Sequence, residues 1–264
     1  MLRFLDLRQA PDDTDYTASL PRAEFDVEHA VAAVAPICAA VQAEGEAALR
    51  RFSLQFDQVV PESLRVPAEV LERCAANLDP ELAAAFAESI RRRRAVCAAE
   101  AASPEPVVEL APGATVTQRL VPVGRVGLYV PGGLAPLASS VIMNVVPAQA
   151  AGVTSVAVAS PPQRAFGGLP HPNILALCHL LGVDEVYAVG GAQAVAMFAY
   201  GVAGLCPKVD LVTGPGNIYV VAAKRLLRGR VGIDSEAGPT EILSLIHISE
   251  PTRRTPISYA VFCL

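Results

Sequence analysis

Apolar positions in the first hundred residues recur at intervals of three and four. After Asp26 they fall at Val31, Val34, Ile37, Cys38, Val41 and Leu49. This spacing predicts an amphipathic helix with Asp26 as its N-cap. Pro36 lies within the run and is expected to kink or divide the helix, because proline lacks the backbone N–H that a helix interior uses.

Two further helices are predicted before residue 105. Asp79-Pro80-Glu81 supplies an N-cap, a proline at the first helical position and an acidic first turn. The helix that follows would carry Leu82, Phe86 and Ile90 on its apolar face. Val66-Pro67 is expected to start a shorter helix before it.

Beyond Val107 the pattern changes to short β-branched runs separated by glycine and proline. The predicted strands are 126–130, 156–159, 186–189 and 211–213, and the predicted helices are about 137–151, 172–182, 192–203 and 216–228. Strands that alternate with helices indicate βαβ units around a parallel sheet. The fold class is therefore α/β, an N-terminal helical segment followed by a parallel sheet with flanking helices.

Charge divides the chain in the same place. Residues 1–105 hold 29 charged side chains and residues 106–243 hold 15, although the second range is longer. We therefore predict an N-terminal helical region over 1–105 and a sheet domain over 106–243.

Composition narrows the class of protein. Hydrophobic residues make up 52% and charged residues 18%, with 5% aromatics and no Trp, as in a buried α/β sheet. Two uncharged stretches, 126–163 and 186–207, are interrupted by Gly and Pro and do not predict membrane spans. A net charge of −5 argues against nucleic acid and anionic membranes as partners. Six cysteines without a C-x-x-C pair, and an N-terminus without a signal-peptide pattern, favour the reducing cytoplasm.

Glycines follow three of the predicted strands, at Gly132-Gly133, Gly190-Gly191 and Gly214-Pro-Gly216. Ligands of parallel sheets bind outside the carboxyl ends of the strands, so these turns predict a site for a nucleotide or phosphorylated ligand. Ordinary strand-to-helix turns also use glycine, which remains the alternative for any one of them. Neither the G-x-G-x-x-G fingerprint nor a P-loop is present.

Polar residues beside these turns are the candidate ligand contacts. They are Tyr129, Ser139, Ser140, Asn144, Gln193 and Asn217. Side-chain amides in apolar surroundings need partners, and the ribose or carboxamide of a ligand would provide them. The alternative is that Gln193 and Asn217 bind local backbone groups.

Other reactive residues give weaker signals. The histidines at 29, 171, 179 and 247 are scattered and lack metal-ligand spacing, so no metal site is predicted. Cys178 and His179 are adjacent but point about 100° apart on a helix, so they form no nucleophile–base pair. The run Arg91 to Arg94 spreads around a helix and predicts a solvated face or a subunit contact.

Taken together, five segments resemble the histidinol dehydrogenase family. They are Val126-Gly-Leu-Tyr-Val-Pro-Gly-Gly133, Ser139-Ser-Val-Ile-Met-Asn144, Val189-Gly-Gly-Ala-Gln-Ala194, Gly214-Pro-Gly-Asn217, and Gly232-Ile-Asp234 with Ala237-Gly-Pro-Thr-Glu241. Gly45-Glu-Ala-Ala-Leu49 and Phe56-Asp57 extend the resemblance, which covers residues 1–243.

The resemblance implies a zinc-dependent, NAD-linked homodimer that oxidises L-histidinol to L-histidine through the aldehyde. It implies Rossmann-like, incomplete dinucleotide folds without the glycine fingerprint. The family's NAD contacts fall on Tyr129, Gln193 and Asn217. Its substrate-contacting Ser falls on Thr240, which keeps the hydroxyl and adds a methyl.

After Leu243 the chain departs from the family, and we expect residues 244–264 not to be native to this protein. The family's zinc ligands and its catalytic Glu-His pair have no match in this chain, and His247 does not replace them. A general base must lie about 3 Å from the proton it removes, so the chain as given is expected to be inactive, with no catalytic or metal residues of its own. One alternative is an inactive fragment that binds NAD or a partner subunit. Another is an aldehyde dehydrogenase-like enzyme that uses Cys178 or Cys206 as nucleophile.

Overall fold

The N-terminal part is helical. The structure, a computed structural model, describes residues 27–102, 105–132, 136–236, 245–246 and 258–259. Its first four helices are α1 (Val27–Glu44), α2 (Glu46–Phe52), α3 (Ala68–Ala76) and α4 (Pro80–Ala101), and α2 continues into a π-helical turn over Ser53–Asp57. The helices predicted after Val66-Pro67 and Asp79 are therefore confirmed.

The first predicted helix is divided at a different residue from the one expected. Helix α1 continues through Pro36 and ends at Glu44, and the break comes at Gly45, whose φ is 58°. Val34 and Cys38, on either side of the proline, are buried, so tertiary packing holds the helix together across it. The left-handed conformation at Gly45 is one that glycine adopts without strain. Asp26, the expected cap, lies outside the described residues.

Helix α4 begins as its sequence predicts. The Asp79 side-chain oxygen Oδ1 accepts hydrogen bonds from the backbone N–H groups of Glu81 (2.9 Å) and Leu82 (3.1 Å). These groups have no partner inside the helix, so the cap satisfies them. Arg91 and Arg92 on its exposed face pair with Glu88, which agrees with a solvated helix face.

The second part alternates strands and helices. In chain order it contains β1 (Val107–Ala111), β2 (Ala114–Thr117), β3 (Arg125–Tyr129), α5 (Ser139–Ala150), β4 (Ser155–Ser160), α6 (Pro172–Leu180), β5 (Val186–Ala188), α7 (Gly191–Tyr200), β6 (Leu211–Thr213), α8 (Ile218–Leu227), β7 (Gly232–Ile233), β8 (Leu245–Ile246) and β9 (Ser258–Tyr259). All four predicted strands and all four predicted helices of this part are confirmed. The antiparallel hairpin β1–β2, the edge strand β7 and the antiparallel pair β8–β9 were not predicted.

Strands β3 to β7 form one parallel sheet in the order β5-β4-β3-β6-β7. The chain adds β4 and β5 on one side of β3 and then adds β6 and β7 on the other side. This reversal creates a topological switch point between the carboxyl ends of β3 and β6. Ligands of doubly wound sheets bind at such a point.

Helices cover both faces of the sheet. On β3 the side chains of Val126, Leu128 and Val130 pack with α3, α4, α5 and α6, whereas Tyr129 packs with α1, α2, α7 and α8. This alternation is the period of two expected of a strand that is buried on both faces. The N-terminal helices share both hydrophobic cores with the sheet. The boundary near residue 105 stays a prediction.

Charged groups at the amino ends of the strands are paired with one another. Arg125 at the start of β3 forms an ion pair with Glu185 before β5, and Tyr187 donates a hydrogen bond to the same carboxylate. Burial acts to raise the pKa of Glu185, but the hydrogen bonds from Arg125 and Tyr187 lower it below its usual value. These bonds tie β3 to β5 across the intervening strand.

Gly127 in β3 lies directly under an aromatic ring of α7. A Cβ at this position would lie 2.5 Å from Cγ of Phe198, which is inside van der Waals contact. The absence of a side chain at Gly127 therefore sets how closely α7 packs on the sheet.

We expect Gly127→Ala to destabilise the protein by about 1–3 kcal/mol, because the added methyl group must displace the Phe198 ring. Urea denaturation followed by circular dichroism measures this cost. In a Phe198→Ala background the same replacement should cost clearly less, since Cγ and both Cδ atoms that the new methyl group would meet are gone. An equal cost in both backgrounds would contradict the assigned contact.

Candidate functional site

A cavity of about 870 Å³ opens at the switch point of the sheet. Its walls come from α1, the π-helical turn, the turns after β3, β4 and β6, and the first turn of α7. The lining residues are Ala33, Ile37, Phe56, Asp57, Tyr129, Pro131, Gly132, Leu137, Pro161, Gly191, Ala192, Gln193, Asn217 and Tyr219. Most are apolar, and a few polar groups converge among them, as is typical of small-molecule sites.

Tyr129 is the last residue of β3 and is buried beneath the cavity. Its hydroxyl oxygen accepts a hydrogen bond from the backbone N–H of Gly191, at 3.1 Å. Burial raises the pKa of Tyr129 to about 12, the Asp57 charge adds to this, and the Gly191 N–H opposes it. The hydroxyl is therefore neutral at physiological pH, and its proton is available to a ligand.

Gln193 lies in the first turn of α7. Its side chain is only 2% exposed, and its amide has no hydrogen-bond partner among the residues that the structure describes. At Gly191, with φ of 59°, a Cβ would lie 2.9 Å from the Gln193 side-chain oxygen. Glycine at 191 thus leaves room for the Gln193 amide beside the cavity.

Asn217 has a structural role and also lines the cavity. Its Oδ1 accepts hydrogen bonds from the backbone N–H groups of Tyr219 and Val220, both at 3.1 Å, and so caps α8. The alternative reading from sequence, local backbone binding, therefore holds for the oxygen of Asn217 and not for Gln193. The Nδ2 group of Asn217 remains as a donor.

The turn that carries Asn217 is fixed by an ion pair that involves a buried lysine. Lys224 of α8 is 3% exposed, and its ammonium group lies 2.7 Å from Oδ1 of Asp234 and donates to the carbonyl oxygen of Gly214. Oδ2 of Asp234 accepts from the backbone N–H of Gly214 at 2.9 Å. Both backbone groups of Gly214 are therefore held.

Gly214 must be glycine for two reasons. Its φ is 112°, and a Cβ would lie 2.0 Å from the carbonyl oxygen of Tyr129. The turn after β6 consequently lies against the main chain of β3. Sequence reasoning did not single out Lys224, although a lysine among the apolar residues of α8 was a usable signal.

Asp57, at the end of the π-helical turn, was not a candidate from sequence either. It lines the cavity, and its Oδ2 is buried without a hydrogen-bond partner among the described residues. Burial raises the pKa of Asp57 to about 6. Among the described lining residues, it alone carries a formal charge at neutral pH.

Asn144 is excluded as a free ligand contact. Its Nδ2 donates to the carbonyl oxygen of Ser140 at 2.7 Å, and its Oδ1 accepts from the Thr213 hydroxyl at 2.9 Å, which ties α5 to β6. Ser139 and Ser140 begin α5 and do not line the cavity. Thr240, the expected substrate contact, lies outside the described residues.

Cys178 and Cys206 do not form a nucleophilic site. Cys178 is buried in the core and its pKa is raised to about 12 by burial. Cys206 is also buried; burial raises its pKa, and this outweighs the hydrogen bonds from Tyr187 and Arg125. Reactive thiolates need accessible surroundings that lower the pKa. The alternative of an aldehyde dehydrogenase-like cysteine enzyme is therefore not supported.

The described part of the chain contains neither a metal-ligand cluster nor a membrane-spanning helix. Within it no group of three or more His, Cys, Asp or Glu side chains is arranged to hold a metal ion. His171 instead caps α6, where its Nδ1 accepts from the Asn173 N–H at 3.2 Å. No helix in the described ranges is long and apolar enough to cross a membrane.

The fold and the cavity define a class, the doubly wound α/β proteins that bind a small molecule at the switch point. The family model of histidinol dehydrogenase matches residues 20–252. The chain belongs to the histidinol dehydrogenase family, a family of oxidoreductases in histidine biosynthesis.

Individual relatives agree with this assignment. Histidinol dehydrogenase from Cutibacterium acnes is 68% identical over 251 residues, which are 93% of this chain and 57% of that protein. The enzyme from Thermobifida fusca is 61% identical over 91% of this chain and 54% of its own. A crystal structure of histidinol dehydrogenase from Elizabethkingia anophelis has a TM-score of 0.75 at 30% identity, covering 84% of this chain and 49% of its own. The chain thus spans about half the length of these relatives.

We expect Asp57→Asn to raise the melting temperature at pH 8. The folded-state pKa of Asp57, about 6, is above the usual aspartate value, so ionisation opposes folding. This cost is absent below about pH 4, grows as the pH rises to about 6, and is complete above that.

Differential scanning fluorimetry of the two proteins from pH 4 to pH 8 measures the effect. The exposed Asp184 provides a matched control, and Asp184→Asn should leave the melting temperature unchanged. An Asp57→Asn protein that melts below the wild type at pH 8 would show that the carboxylate is stabilising.

Proposed function

We propose that this chain is the NAD-binding part of a histidinol dehydrogenase. The observation that carries the proposal is the convergence of Tyr129, Gln193 and Asn217 on one cavity at the switch point of the parallel sheet. Each of them presents a hydrogen-bonding group that has no partner among the described residues.

The described residues fit a dinucleotide. The Tyr129 hydroxyl and the Asn217 Nδ2 group act as donors, and the Gln193 amide acts as both donor and acceptor. The first turn of α7 offers backbone N–H groups without intrahelical partners, which suit a phosphate. The apolar lining from α1 and the proline turns suits aromatic rings. When bound, NAD would supply the hydride acceptor of the reaction.

The substrate and the oligomer belong to the same proposal. By analogy with its relatives, the whole protein would oxidise L-histidinol to L-histidine through the aldehyde, as a homodimer, with Thr240 contacting the substrate. The described residues provide no zinc ligand set. We further propose that the 264-residue chain binds NAD without turning over histidinol.

NAD binding can be tested on the full chain by isothermal titration calorimetry. We expect saturable binding, and we expect Gln193→Ala to weaken it about three- to tenfold, because one or two hydrogen bonds to the amide are lost. Gln118 is exposed and lies outside the cavity, so Gln118→Ala is the matched control and should bind as the wild type does. Binding that is absent, or equal in the wild type and Gln193→Ala, would refute the NAD site.

Turnover is tested separately from binding. We expect the purified chain, with L-histidinol and NAD, to give no rise in absorbance at 340 nm with or without added zinc. A full-length relative assayed in parallel provides the positive control. NADH formation by the chain alone would contradict the proposed lack of turnover and leave the NAD site intact.

A further inference from the structure

Asp57 is a charged group in the cavity that the structure itself does not explain. The inference drawn from it rests on the proposed NAD site. Its Oδ2 is buried without a partner among the described residues, although buried carboxylates normally accept hydrogen bonds. A carboxylate turns about a broad two-fold torsion, so either oxygen is able to face the cavity.

A structural role for Asp57 would require partners. Glu185, the comparable buried carboxylate at the opposite end of the sheet, is paired with Arg125 and accepts from Tyr187. Within the described ranges, no cation forms an ion pair with Asp57 and no group donates a hydrogen bond to it. Burial raises its pKa to about 6, so the group is mainly ionised at pH 7.5 and carries a charge that no described cation compensates.

The negative charge of Asp57 restricts which part of a bound ligand is able to lie beside it. The described cavity lining contains no Lys, Arg or His, so a ligand phosphate at this position would face a carboxylate with no cation to offset it. An ionised carboxylate is an acceptor only, so the neighbouring part of the ligand must be a hydrogen-bond donor, and the hydroxyl groups of a dinucleotide are such donors. A vicinal diol offers two hydroxyl donors, one for each oxygen.

We propose that Asp57 accepts hydrogen bonds from the hydroxyl groups of a ribose of the bound dinucleotide. A carboxylate that binds a ribose in this way is a recurrent device of dinucleotide sites, although there it comes from within the βαβ unit. Here it comes from the helical turn over Ser53–Asp57, which precedes the sheet in the chain. A dinucleotide contains two riboses, and the ligands used in the test distinguish them.

The experiment titrates the full-length wild type, Asp57→Asn and the exposed control Asp184→Asn with NAD. We expect Asp57→Asn to bind NAD about tenfold or more weakly, because hydrogen bonds to a charged acceptor are lost. Asp184→Asn should bind as the wild type does. A melting temperature of Asp57→Asn no lower than that of the wild type at pH 8 shows that weaker binding is not a folding defect.

Smaller ligands then identify the ribose. If the adenosine ribose is bound, the 2′-deoxy form of ADP should bind more weakly than ADP to the wild type and equally to Asp57→Asn. NADP, which carries a phosphate on that ribose, should then be rejected by the wild type and accepted better by Asp57→Asn. If the nicotinamide ribose is bound, ADP should not respond to Asp57→Asn and nicotinamide mononucleotide should. Either pattern supports the proposal.

Other outcomes overturn it and separate it from the proposed function. Unchanged NAD binding by Asp57→Asn, in a protein whose binding still depends on Gln193, removes the role of Asp57 and retains the NAD site. Weaker NAD binding with no response of ADP or nicotinamide mononucleotide also overturns the ribose contact. A wild-type chain that does not bind NAD overturns both proposals.

Discussion

The close approach of Gly214 to the main chain of Tyr129 is the constraint on which the site depends. It brings the turn after β6 against the end of β3, and only a residue without a Cβ allows it. The ion pair between the buried Lys224 and the exposed Asp234 holds both backbone polar groups of Gly214. A buried ammonium group is costly unless it is paired and hydrogen-bonded, and here the Asp234 carboxylate and the Gly214 carbonyl oxygen provide these partners. The pair therefore fixes the turn that carries Asn217.

Polar side chains at the two ends of the parallel sheet differ in whether they have hydrogen-bond partners. At the amino ends, Arg125, Glu185 and Tyr187 satisfy one another and hold the strands together. At the carboxyl ends, Gln193 and one oxygen of Asp57 remain without partners among the described residues. Unsatisfied polar groups cost free energy, so their concentration around one cavity indicates that a ligand completes them. This contrast supports ligand binding more strongly than the cavity volume does.

The cavity is not a property of the sheet domain alone. Helix α1 contributes Ala33 and Ile37, and the π-helical turn contributes Phe56 and Asp57. The N-terminal helices are thus both a cover for one face of the sheet and a wall of the site. A cut at the composition boundary near residue 105 would remove this wall and expose the core that α1 shares with α7 and α8.

The sequence by itself determined four strands of the parallel sheet, the helices between them and three of the polar residues at the site. Short β-branched runs between glycine and proline indicated these strands, apolar residues at intervals of three and four indicated the first helix, and Asp79 indicated the start of α4. The glycine-bearing segments pointed to Tyr129, Gln193 and Asn217. Tertiary structure alone decided that α1 continues through Pro36 and that Lys224 and Asp234 hydrogen-bond to the backbone of Gly214. It also decided that Asp57 lines the cavity, although its helical turn is far from the sheet in the chain. These features depend on packing and charge between distant segments, which no local pattern records.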